Sequence, residues 1–156
     1  MNRIQKLFAK THAEGRGAFV AYLTMGAPTL ADSFAAAETL LAEGADILEL
    51  GVPFSDPVAD GAVIRKAANL ALANGVTLAD VLASIPPLRA RHPDTSLVIF
   101  SYYNPIYKYG IERFAAEAAR VGVDAVLVVD LPLEERGELL DVLRPQGLTL
   151  VPLLSP

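Results

Sequence analysis

The sequence predicts an α/β domain built from repeated β-α units, and three observations carry that prediction. Five apolar runs are nearly continuous rather than alternating, as in parallel strands covered on both faces. Helical patterns stand between them. Three of those patterns end at a glycine, Gly44, Gly122 and Gly147, with the next apolar run close behind. A glycine just past a helix end tolerates the left-handed backbone that stops the helix. With 156 residues, 53% of them hydrophobic, the chain suits one domain over residues 1–156 with its own core.

The elements follow in order. In "MNRIQKLFAKTHAEG", Ile4, Leu7 and Phe8 fall at i, i+3 and i+4, the pattern of a short amphipathic helix without a signal core. The predicted strands are Ala18–Met25, Asp46–Val52, Ser96–Tyr103, Asp124–Asp130 and Leu148–Leu154. A helix is predicted after Pro28 up to Gly44, a second in "GIERFAAEAARVG" and a third in "LEERGELLDVLRPQG". The stretch from Gly61 to Pro93 holds two helical pieces, "AVIRKAANLALANG" and "LADVLASIPPLRARHP". Pro86 and Pro87 should break or kink the latter, because proline lacks a donor and clashes with the preceding turn. Repeated β-α units leave two architectures, an open doubly wound sheet or a closed (β/α)₈ barrel.

Composition removes several function classes. The net charge is −5 without a basic cluster, which argues against nucleic acid. The longest charge-free run, Gly17 to Ala31, is too short and too broken by Gly and Pro to span a membrane. With no targeting segment, a cytoplasmic location is the expectation. There is no cysteine, and His12 and His92 lie far apart, so thiol chemistry and a zinc or iron site are not expected. No dinucleotide or ATP fingerprint is present.

In either architecture chemistry belongs at the carboxyl ends of the strands. The polar residues of the apolar segments collect there: Tyr22, Thr24, Glu49, Tyr102, Asn104 and Asp130. Side chains alternate along a strand, so Ile47, Glu49 and Gly51 share one face. A carboxyl buried without a partner raises its pKa, and such a group transfers protons near neutral pH. An ion pair with Lys or Arg is the structural alternative for Glu49. Asp60 before Gly61 also fits a helix N-cap, Asp56 a turn residue, and Asp130 a strand terminus. The loop "PFSDPVADG" is longer than the joins around it, and Phe54 gives it an apolar surface for a ligand or a partner.

The string "LELGVPFSDPVADG", Leu48 to Gly61, resembles the signature of the tryptophan synthase alpha chain family. "GAFVAYLTMGAPT" resembles the family's first strand, and "SYYNPIYKYGIERFAAEAARVGVDAVLVVDLPLEE" its third strand through its fourth. The resemblance implies a (β/α)₈ TIM barrel, of which this chain shows about five β-strands. It implies a lyase of tryptophan biosynthesis that cleaves indole-3-glycerol phosphate to indole and glyceraldehyde 3-phosphate by a retro-aldol reaction. By the same match Glu49 is the acid/base glutamate and Asp60 the second catalytic carboxylate. Tyr22, Phe100, Tyr102, Leu127, Val129 and Leu153 are expected to line the indole slot. Phe54, Asp56 and Asn104 are expected to meet a beta chain in an alpha2-beta2 heterotetramer. No cofactor is expected in this chain, and pyridoxal phosphate belongs to the beta chain.

The sequence departs from the family pattern in places. Ala27 stands where the family often has an acidic residue, and "ADGAVIR" replaces the commoner "ADGPxIQ", so Ala62 and Arg65 differ. Pro86 and Pro87 are unusual for their helix. The chain stops at Pro156, just after the fifth strand, whereas the family holds its substrate phosphate with later elements. The expectation is an N-terminal part of the barrel, very weakly active alone and with sheet edges prone to association. Two other readings compete: another phosphate-binding barrel enzyme, such as a sugar-phosphate isomerase or epimerase, and a non-catalytic partner-binding module.

Overall fold

The computed structural model describes residues 2–154. Five strands, β1 (Val20–Thr24), β2 (Ile47–Gly51), β3 (Ser96–Ser101), β4 (Ala125–Val128) and β5 (Thr149–Pro152), form one sheet in the order β1-β2-β3-β4-β5. Every neighbouring pair is parallel. A doubly wound sheet reverses its strand order at a switch point. Here each strand pairs with its predecessor in sequence, the progression of a (β/α)₈ barrel, so this is an α/β partial barrel.

The helices are α1 (Arg3–Ala13), α2 (Leu30–Ala42), α3 (Ala62–Ala73), α4 (Leu78–Ala83), α5 (Ile85–Arg91), α6 (Tyr103–Tyr109), α7 (Ile111–Val121) and α8 (Gly137–Leu143), with a 3₁₀ turn at Arg144–Gln146. Prolines 86 and 87 break the second piece of the Gly61–Pro93 stretch as expected. They fall in the first turn of α5, where a missing N–H removes no helical bond. Helix α6 corrects the third predicted strand, which ends at Ser101 rather than Tyr103. Pro105 lies in the first turn of α6, and Gly110, with φ 94°, ends it. The fourth and fifth strands also stop earlier than predicted, at Val128 and Pro152.

Alternation divides the sheet into two packed faces. Leu48, Leu50, Leu97, Ile99, Val126 and Val128 face the helices, against Ala37, Leu41, Ala71, Phe114, Ala118, Leu139 and Leu143. On the inner face Ile47, Val98, Ala125 and Leu127 form a second cluster. Helix α1 covers its lower part with Ile4 and Leu7, while Phe8 stays exposed, contrary to the amphipathic reading of that residue. Asn2 caps α1 through a capping box and reaches Thr149 on β5. Among the described residues no single helix is long and apolar enough to cross a membrane.

Candidate active site

Register brings the predicted residues onto one surface. Tyr22 pairs with Glu49 and Glu49 with Val98, while Phe100 pairs with Leu127 and Leu127 with Val151. Parallel partners share a face, so Tyr22, Glu49, Phe100 and Leu127 stand together on the inner side of the sheet. Val129, one alternation beyond Leu127, packs against the same cluster. Leu153 has the same parity but lies past the end of β5 and is 51% exposed, so the structure does not bring it into that surface.

Glu49 is the central residue of β2, not its terminal one, and it is half-buried. Burial alone pushes its carboxyl above the ordinary value of 4.5. Among the described residues no hydrogen bond or ion pair opposes that shift, so the structural alternative of a Lys or Arg partner is not realised. The neighbouring aromatic pair is set by Gly51. Tyr22 leans toward the strand tips and meets Phe100 edge-on at 5.0 Å. Its ring crosses the space above Gly51, where a Cβ would sit 2.8 Å from Tyr22 Cε2 and Cζ. Only a residue without a side chain leaves that room. The Tyr22 hydroxyl lies 3.1 Å from Thr24 Oγ1, and burial raises the phenol pKa.

Asp60 stands at the end of the 52–61 loop, immediately before the Gly61 N-cap of α3. It is not the cap itself: α3 begins without a side-chain cap hydrogen bond. Its Oδ2 instead accepts a hydrogen bond from Tyr102 Oη at 3.1 Å. The same phenol oxygen accepts the Ala59 N–H at 3.0 Å. Tyr102 is 3% exposed, its ring lies 5.0 Å from that of Phe54, and burial is the leading cause that pushes its phenol up to about 12. The sequence reading placed Tyr102 on this surface but missed its link to Asp60, because the two are 42 residues apart.

The remaining candidates have plain surroundings. Asp56 is exposed and accepts from Ser55 Oγ at 2.6 Å. Asn104 is exposed in the first turn of α6 and borders a cleft of about 310 Å³ with Tyr103, Tyr107, Asp130, Leu131 and Glu135. Asp130 accepts the Tyr103 N–H at 2.7 Å, so a carboxylate just past the end of β4 caps the helix that follows β3. Ala62 opens α3, and Arg65 is exposed one turn later.

Comparison with known proteins matches residues 8–156 to the family model described as "Tryptophan synthase alpha chain". A tryptophan synthase alpha chain of Rhizorhabdus wittichii is 47% identical over all 156 residues, which cover 58% of that protein. One from Chloroflexus aggregans is 44% identical with the same coverage. Among solved structures, tryptophan synthase subunit alpha of Legionella pneumophila superposes with a TM-score of 0.93 at 38% identity, over 96% of this chain and 57% of that one. A Mycobacterium tuberculosis tryptophan synthase in its aminoacrylate-bound form gives 0.94 at 32% identity, over 99% and 62%. The chain thus spans 58% of the length of the curated relatives it matches.

Proposed function

From the premise that this chain belongs to the tryptophan synthase alpha chain family, we propose that it carries the proton-transfer centre of a carbon–carbon lyase acting on indole-3-glycerol phosphate in tryptophan biosynthesis. One observation supports this most. A half-buried Glu49, unpaired among the described residues, stands on the inner face of the sheet beside an aromatic pair, and its carboxyl pKa is raised by burial.

Retro-aldol cleavage needs a proton delivered to the indole ring carbon that bears the glycerol chain. It also needs a proton removed from the hydroxyl on the adjacent chain carbon, so that the carbon–carbon bond breaks as the aldehyde forms. Glu49 serves both transfers, and its raised pKa brings the acid and base forms closer to balance near neutral pH. Ring protonation develops positive charge at the indole nitrogen. The Asp60 carboxylate accepts that N–H and stabilises the charge. Tyr22, Phe100, Leu127 and Val129 supply the apolar walls for the ring, with Tyr102 at their upper edge. Leu153, exposed past the end of β5, stands apart from these walls.

The exposed groups Asp56 and Asn104, with Phe54 behind them, form our proposed contact for a beta chain in an alpha2-beta2 assembly, whose pyridoxal phosphate stays in that partner. This chain itself uses no cofactor in the proposal, and a cytoplasmic location accompanies it. The test is Glu49→Gln in a chain extended by the part of the R. wittichii relative that this one does not cover. General acid–base groups contribute about 10²–10⁴-fold, so kcat for indole release should fall at least about 100-fold with KM nearly unchanged. Undiminished turnover would favour the partner-binding reading instead.

A further inference from the structure

We propose that Tyr102 is a positioning residue: it fastens the 52–61 loop to the tip of β3 and thereby aims Asp60. This rests on the proposed role of Asp60 and deepens it. The loop leaves β2 at Val52 and must hold Asp60 at its far end, with no cap hydrogen bond from α3 to fix that end. Its internal bonds are short-range, from Val58 N–H to Asp56 O and from Asp60 N–H to Pro57 O. Tyr102 contacts both halves. Its ring packs on Phe54 near the start, and its hydroxyl joins Ala59 and Asp60 at the end.

The hydroxyl is used twice, accepting one hydrogen bond and donating another, which fixes its proton toward Asp60 Oδ2. That leaves Oδ1 to accept from a ligand N–H. The ring is held in turn. Tyr102 is 3% exposed and directly precedes Tyr103, whose N–H is tied to Asp130. A rigid phenol anchored at two strand ends is a better reference for a carboxylate than a flexible loop.

Tyr102→Phe keeps the stacking and removes both hydrogen bonds. In the purified chain, amide exchange at Ala59 should quicken about tenfold, the effect of losing one hydrogen bond, while Leu48 and Ile99 amides keep their protection and report an intact sheet. In the extended chain described above, kcat should fall about tenfold with KM within about twofold, the signature of an interaction made in the transition state. 3-Fluorotyrosine at position 102, which keeps a hydroxyl, should restore both. Unchanged exchange at Ala59 overturns the clasp. Faster exchange with unchanged kcat in an otherwise active parent overturns the aiming of Asp60. An inactive parent sinks the proposed reaction instead, and the exchange result then decides the clasp by itself.

Discussion

The two ends of the sheet treat carboxylates in opposite ways. At the amino ends of the strands Asp124 is buried and fully engaged, bonded to Arg89, Arg3 and the Leu97 N–H. Arg89 also donates to the carbonyls of His92, Pro93, Thr95 and Gly122. Burial pulls its guanidinium pKa down, and Asp124 opposes that pull. Asp46, nearby on the same end, is held by Arg16 and the Phe19 N–H, and its pKa is lowered to about 2, chiefly by Arg16. On the inner face, midway along β2, Glu49 has no such partner among the described residues, and Asp60, in the loop beyond the strand tips, is bonded by a neutral phenol. Charges that are matched hold a structure; charges left unmatched are available for chemistry. Barrels divide their two ends in this way, and here the division is visible within five strands.

The sharpest break of that contrast is Asp124→Ala. It would leave the largely buried Arg89 with its carbonyls but without its ion-pair partner, and would leave Arg3 of α1 held only through the Pro93 carbonyl. Removing one partner of a buried ion pair costs about 3–5 kcal/mol. Urea unfolding should show a loss of that size, with α1 the first element to lose amide protection. A loss below about 1 kcal/mol would mean that the amino end is not held by this network.

A smaller effect is expected at the opposite end from Gly51→Ala. The added methyl would meet the Tyr22 ring at 2.8 Å, so the ring must swing away from Phe100. Because the obstacle is the far end of a side chain, the cost should lie at the low end of the overpacking range, about 1 kcal/mol. Chemical shifts of Tyr22 and Phe100 should change while those of the Asp124 network stay fixed. Such confinement to one end would sharpen the contrast, whereas spreading to Arg89 would blur it.

What the sequence could disclose follows the range of the forces involved. The nearly continuous runs around Leu48 and Ile99 have a local cause, burial on both faces, and they located all five strands. Alternation placed Ile47, Glu49 and Gly51 on one face, but the candidate slot residues on the other strands came from the family resemblance. Strand order was not legible, because pairing of β1 with β2 is a long-range fact; the lack of a glycine-rich first turn spoke against a nucleotide-binding open sheet, and the family resemblance pointed to the barrel. Helix α6 was not legible: Tyr103 extends the predicted third strand, residues 104–109 carry no predicted element, and Pro105 masks a helical first turn. The Tyr102–Asp60 bond and the Asp130 cap join residues 42 and 27 apart, and no local pattern announces them. Glu49 was grouped with the strand-end residues, yet it is central both in the predicted run Asp46–Val52 and in the observed β2.

The smallest expected effect is a pH dependence of stability that originates at Glu49. Its folded pKa lies above the unfolded one, so between the two values the folded state binds more protons than the unfolded. Stability therefore falls as pH rises from the ordinary carboxylate value of 4.5 through the folded pKa, and the deficit persists above it. Glu49→Gln removes the titration. The variant should gain in Tm relative to the parent at pH 7 to 8, and that gain should shrink toward nothing near pH 4. The gain stays small because the side chain is only half-buried and water screens part of the cost. A parent as stable as the variant at every pH would mean that Glu49 has a charged partner in solution, and the contrast between the two ends would lose its clearest member.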